Sequence, residues 1–155
     1  MSLFLGIDPG HTGAVALIDS EGNLLEIWDT PLIGKEYDIR GMGNILRDNL
    51  PHGCAIESQH PMPKQGVSST FTTGYGYGLW TAFLYAYGIK HDVVRAQDWK
   101  KALGIPAGSD KSESVAAAQR LFPSGEFTGP KGGIKDGRAD AALIAEWRRR
   151  SWGKA

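Results

Sequence analysis

LFLGIDPGHTGAVALID, residues 3–19, is the stretch that decides the fold. Leu3 to Asp8 is an apolar run of strand length that stops in the turn cluster PGHTG. A second run of the same length, Ala14 to Asp19, follows at once. Glu21-Gly22 then turns the chain into a third, Leu24 to Asp29. Connections this short join antiparallel neighbours, so three strands form a meander. Beyond them the period changes. Ile39, Met42, Ile45 and Leu46 recur at helical spacing, predicting a helix over Ile39 to Leu50 that Pro51 and Gly53 end. Cys54-Ala55-Ile56 is a short buried strand running into Glu57. Residues 58–69 are a loop, and a glycine-rich helix starts at Ser69 or Thr70 and runs to about Tyr87. His91 to Arg95 gives a fifth strand and Gln97 to Leu103 a short helix. Asp110 caps a helix through Phe122, residues 123–135 form a Gly/Pro/Lys loop, and Asp136 to about Ser151 is the last helix. This order predicts an α/β protein with a mixed five-stranded sheet, three antiparallel strands followed by parallel ones, flanked by helices.

The bulk properties narrow the classes. A chain of 155 residues, 41% hydrophobic, fits one domain, 1–155, with a real core. The formal net charge is zero, so any basic surface is local. Cys54, the one cysteine, cannot form an intramolecular disulfide and looks buried, which makes it a poor nucleophile and suits a reducing compartment. No apolar run approaches the roughly 18–20 residues of a membrane span. MSLFLGID lacks the basic start of a secretory signal. The expectation is a cytoplasmic protein with no membrane contact.

Four acids carry the candidate chemistry. Asp8 and Glu57 end predicted strands and face loops. Asp136 and Asp140 stand four apart, on one helix face about a turn from each other. Plain readings exist for two of them: Asp8 as a turn former, Asp136 as a first-turn acid favoured by the helix dipole. Glu57, at the end of a buried run, needs a partner, and Asp140 sits between small residues on a face that packs. Converging carboxylates suit a hard cation. Mg²⁺ takes oxygen ligands, and a pair of such ions supports phosphodiester hydrolysis.

GIDPGHTGAVALID, AIES, RAQDWKKALGIPAGSDKSESVAAAQRLFP and KDGRADAALIAEW, in that order over about residues 3–150, resemble the successive motifs of RuvC-like Holliday junction resolvases, which have a ribonuclease H-like fold. The resemblance implies an Mg-dependent endodeoxyribonuclease that resolves four-way and branched DNA. It would act as a homodimer making paired nicks, with two Mg²⁺ ions per site, Mn²⁺ substituting, and no nucleotide cofactor. Asp8, Glu57 and Asp140 match metal ligands, and Lys111 matches a basic catalytic residue near the scissile phosphate. Many cellular members place the remaining acid three residues before the last one. Here that position is Gly137, so Asp136 takes the role. The D-G-R-A-D form resembles phage-type members and implies a bacterial or phage-infected host cytoplasm.

Lys64, Lys131, Lys135 and Arg138, in or beside glycine-rich loops, are candidate phosphate contacts, though each Lys alone reads more readily as a solvated side chain. Phe71 is the candidate for stacking on an unpaired base. The rest of STFTTGYGYGLWTAFLYAYG favours core or dimer packing. Arg148, Arg149, Arg150 and Lys154 form either a solvated helix end or a further DNA contact. Three other classes stay open: a flap or branched-DNA endonuclease or ribonuclease H on the same fold, a non-catalytic junction-binding protein, and an actin-type phosphotransferase. The last needs two such domains and a longer chain.

Overall fold

The computed structural model describes residues 1–154. Three strands, β1 (Leu3–Asp8), β2 (Ala14–Asp19) and β3 (Leu24–Asp29), form the antiparallel meander. A two-residue pair, β4 (Leu32–Ile33) and β5 (Glu36–Tyr37), makes a small separate hairpin around Gly34, whose φ is 63°. Helix α1 (Ile39–Asp48) begins where Asp38 accepts a hydrogen bond from the Gly41 N–H. β6 (Gly53–Glu57) pairs parallel with β1, and β7 (His91–Val94) pairs parallel with β6, so the sheet order is β3-β2-β1-β6-β7. The remaining helices are α2 (Val67–Ala86), α3 (Ala96–Ala102), α4 (Lys111–Leu121) and α5 (Asp136–Ser151).

Alternation along the strands divides the core in two. Leu5, Ile7, Val15, Leu17, Cys54 and Ile56 join Met42, Leu46, Trp80 and Leu84 on the α1/α2 side. Phe4, Ala14, Ala16, Ile18 and Ala55 join Trp99, Ala118, Leu143 and Ile144 on the α3/α4/α5 side. Period-two strands buried on both faces read as nearly continuous apolar runs, which is what β1, β2 and β6 show. α5 packs unusually close to the sheet. A Cβ at Gly6 would stand 2.1 Å from the Ala141 carbonyl oxygen and 2.3 Å from the Ala145 nitrogen. Only glycine on β1 and small residues on α5 permit that approach.

The predicted elements differ from the structure mainly at their ends. α2 starts at Val67, ahead of Ser69 or Thr70, and α1 ends at Asp48. The β4–β5 hairpin went unseen, because two-residue strands carry no period to detect.

Candidate active site

The C-terminal ends of β1 and β6 lie side by side, since Ile7 registers with Ile56. Asp8 and Glu57 therefore leave the sheet at the same end. The loop after Asp8 folds back sharply. Gly10 has a φ of 112°, the Gly13 N–H donates to Gly10 O at 3.2 Å, and a Cβ at Gly13 would lie 1.8 Å from Asp8 O. Across this loop runs the N-terminal end of α5, which carries Asp136 in its first turn and Asp140 in its second. A Cβ at Gly137 would meet Thr12 O at 2.1 Å. A side chain at 137 is therefore excluded by backbone, and the acid of that turn can only stand at a neighbouring position.

Neighbouring carboxylates act on Asp8 and Asp140. Burial, then Glu57, Asp140 and Asp136, holds Asp8 well above the usual carboxylate range, while Lys100 pulls the other way. Burial also raises Glu57, against a hydrogen bond from Trp99 and the charge of Lys100. Asp140 is pushed up to about 7, by burial first and by Glu57 next, with Asp136 adding and Lys100 opposing. Like charges brought together out of water give these directions. Trp99 Nε1 donates to Glu57 Oε2 at 2.7 Å and fixes that side chain. Asp136 accepts an ion pair from Lys111 at 3.1 Å.

Asp140 Oδ1 is buried with no hydrogen-bond partner. An orphaned carboxylate oxygen beside two more acids is a donor set for a hard cation, which would satisfy the oxygen and cancel the repulsion. The residues fit such an ion by chemistry. Among the described residues, no three His, Cys, Asp or Glu side chains already close on one point.

The other expected residues are dispersed. Lys111 is exposed at the start of α4, beside Asp136. Arg138 forms two hydrogen bonds with Asp29, at 2.7 and 2.9 Å, and Lys135 approaches the same carboxylate at 3.5 Å. Their charge is spent on tying α5 to the end of β3. Lys64 and Lys131 are exposed, Lys64 on a turn with a φ of 66°. Phe71 is 72% exposed and stacks on Tyr75 at 6.1 Å. In the basic tail, Arg149 and Arg150 are both bound to the buried Glu146, and Arg148 to Asp92.

Lys100 is the residue that sequence reading missed. It is the one cation whose charge bears on Asp8, Glu57 and Asp140 alike among the described residues. Its Nζ lies 5.4 Å from the Trp99 ring. The available signal was its place next to Trp99, the buried residue that holds Glu57.

No protein-family model matches the chain. It is similar to the chloroplastic Holliday junction resolvase MOC1 of Chlamydomonas reinhardtii, 33% identical over 149 residues. That match covers 78% of this chain but only 17% of the relative's length. Among solved structures, Thermus thermophilus RuvC superposes with a TM-score of 0.70 at 19% identity, over 94% of this chain and 92% of that one. The same RuvC in complex with Holliday junction substrate gives 0.70 at 19%, over 95% and 92%. The yeast mitochondrial Holliday junction resolvase Ydc2 gives 0.55 at 16%, over 94% and 78%. The fold is thus that of RuvC, ribonuclease H-like, and the resemblance read from the motifs is carried by sequence and fold together.

Proposed function

We propose that residues 1–155 act as one nuclease domain, a structure-selective endodeoxyribonuclease that resolves four-way and related branched DNA junctions by phosphodiester hydrolysis. The observation that carries this reading is the buried, unpartnered oxygen of Asp140 facing the acids at the ends of β1 and β6. The likeness to MOC1 and to RuvC in complex with a junction supports the substrate class. Asp8, Glu57, Asp136 and Asp140 would hold two Mg²⁺ ions, with Mn²⁺ as a substitute, supplying Lewis-acid activation of water and neutralising charge at the phosphate. Trp99 keeps Glu57 oriented for that task. Lys100 meets charge that builds on the phosphate from the β6 side. Lys111, exposed and paired with Asp136, turns to a phosphate oxygen when a strand arrives. Lys64 and Lys131 contact the backbone farther out, and Phe71 stacks on an unpaired base. Two copies related by a two-fold axis place one such site on each of two strands. The working compartment is the bacterial or phage-infected host cytoplasm.

The test is cleavage of a synthetic four-way junction beside duplex, flap, Y-shaped and RNA–DNA hybrid substrates, in Mg²⁺ and in Mn²⁺. The junction is cut preferentially, and Asp140→Asn binds it without cutting. Equal cutting of plain duplex, or wild-type rates from Asp140→Asn, would remove the reading.

A further inference from the structure

Where β6 and β7 begin and α5 ends, at the far end of the sheet from the carboxylates, a cleft of about 610 Å³ opens between Lys90, Asp92, Trp147, Arg148, Trp152 and Lys154. That volume lies within the roughly 300–1,000 Å³ of small-ligand pockets. Close packing fixes the residues that line it. A Cβ at Gly53, the first residue of β6, would stand 2.9 Å from the Trp152 ring and 3.2 Å from Arg148 Nε. Trp152 meets Phe4 edge to face at 5.6 Å, and the Arg148 guanidinium lies 4.9 Å from the centre of the Trp152 ring.

Arg148 is the anomaly of this cleft. Its side chain is 7% exposed, and a buried charge is costly unless it is paired and hydrogen-bonded. Here the pairing is incomplete. Nη1 stands 3.2 Å from Asp92 and 3.4 Å from Ser151 Oγ, and Asp92 is itself half-exposed. Nε is sealed beneath Trp152 with no partner, so the fold itself meets little of the guanidinium's demand. The surrounding charge is one-sided. Lys90 and Lys154 are exposed, Lys90 with its Nζ 5.5 Å from the Trp152 ring, and among the described residues Asp92 is the one acid that borders the cleft. This excess of cations calls for an anion, and the Trp147 and Trp152 rings offer it an apolar flank. Phosphates of a duplex bring sugars and stacked bases behind them. An acidic peptide brings a carboxylate and an apolar side chain into one cleft together.

We propose that this cleft docks an acidic peptide segment of a partner protein, with a carboxylate between Lys90 and the exposed edge of Arg148 and a neighbouring apolar side chain against Trp152. Docking there leaves the carboxylate end of the sheet free for its own substrate. The inference uses none of the residues of the nuclease reading and stands apart from it.

The probe is a fluorescein-labelled peptide of three Glu-Phe repeats, titrated with the full chain and followed by anisotropy. The wild type binds it at least about tenfold more tightly than the Lys-Phe counterpart, and added salt weakens the complex. Lys90→Glu, at an exposed position, weakens the Glu-Phe peptide by about tenfold while Tm and junction cleavage stay unchanged. Arg148→Lys keeps the charge, loses the planar fork and weakens the peptide as well. Lys90→Glu carries the test should Arg148→Lys fold poorly. A four-way junction in Ca²⁺ leaves the bound peptide in place. Equal binding of the Glu-Phe and Lys-Phe peptides, or undiminished binding by Lys90→Glu, overturns the docking site. Displacement of the peptide by the junction, or a matching loss of junction affinity in Lys90→Glu, overturns it in favour of a DNA contact.

Discussion

Asp140 is the residue at which folding and chemistry pull apart. Its pKa stands near 7 against an ordinary 3.8, so the folded protein holds a proton there that the unfolded chain releases. Such a group favours folding fully below about pH 3.8, and that contribution drains away as pH rises toward 7. Asp140→Asn removes the penalty. At roughly 1.4 kcal/mol per pKa unit the ceiling is about 4 kcal/mol. Coupling to Glu57 and Asp136 leaves about 1–3 kcal/mol to recover, or several degrees in Tm. In EDTA the variant should therefore melt higher than wild type at pH 8 and nearly level with it at pH 4. Adding Mg²⁺ should raise wild type and close the gap. Scanning fluorimetry at the two pH values checks this, and a shift of equal size at both would show that desolvation of Asp140 is not the cause. The four acids were legible in the sequence because strand ends and an i,i+4 spacing are local patterns. Lys100 was not, since Lys100 and Lys101 look alike until the burial of Trp99 against Glu57 separates them. Arg138 and Lys135 read as free cations because their partner, Asp29, lies more than a hundred residues away in sequence.

Among the elements, α5 does the positioning. Its first two turns carry two acids, and its alanines, Ala139, Ala141, Ala142 and Ala145, are fully buried. The helix reaches its depth through Gly6 and Gly137, where backbone touches backbone. Gly6→Ala would force a Cβ to within 2.1 Å of the Ala141 carbonyl, with no flexible side chain to yield. Overpacking of this kind costs about 1–3 kcal/mol, or more when backbone must move. The expected result is a Tm lower by roughly 5–10 °C. Cleavage should fall further than the folded fraction, because the shift carries Asp140 with it. Thermal melts and rates at a temperature where the variant is fully folded separate the two effects. A variant with wild-type Tm would mean that α5 is free to ride outward. The long elements were readable because β1, β2, β6 and α5 each repeat their period several times. The β4–β5 hairpin and the 128–134 turn were not. The hairpin is held by a tertiary contact, Tyr37 OH donating to Thr72 O, and the turn by the single Thr128–Ile134 bridge, so neither leaves a local period.

For the molecule as a whole, charge balance hides a polarity. Seventeen basic and seventeen acidic side chains sum to zero, yet buried acids gather at one end of the sheet. Several cations that would offset them for DNA are already committed, Arg138 and Lys135 to Asp29, Arg149 and Arg150 to Glu146. A phosphate backbone approaching that end meets repulsion unless a cation or a proton intervenes. Junction binding should accordingly depend on divalent metal, even without cleavage. Gel-shift titrations at fixed ionic strength should give at least tenfold tighter binding in Ca²⁺ than in EDTA. At pH 8, where Asp140 is ionised, the Asp8→Asn/Asp140→Asn double variant, which can develop charge at neither position, should bind in EDTA nearly as well as wild type does in Ca²⁺. Equal affinity of wild type in the two buffers would mean that DNA docks on another face, such as the side carrying Phe71 and Lys64, without passing the acids.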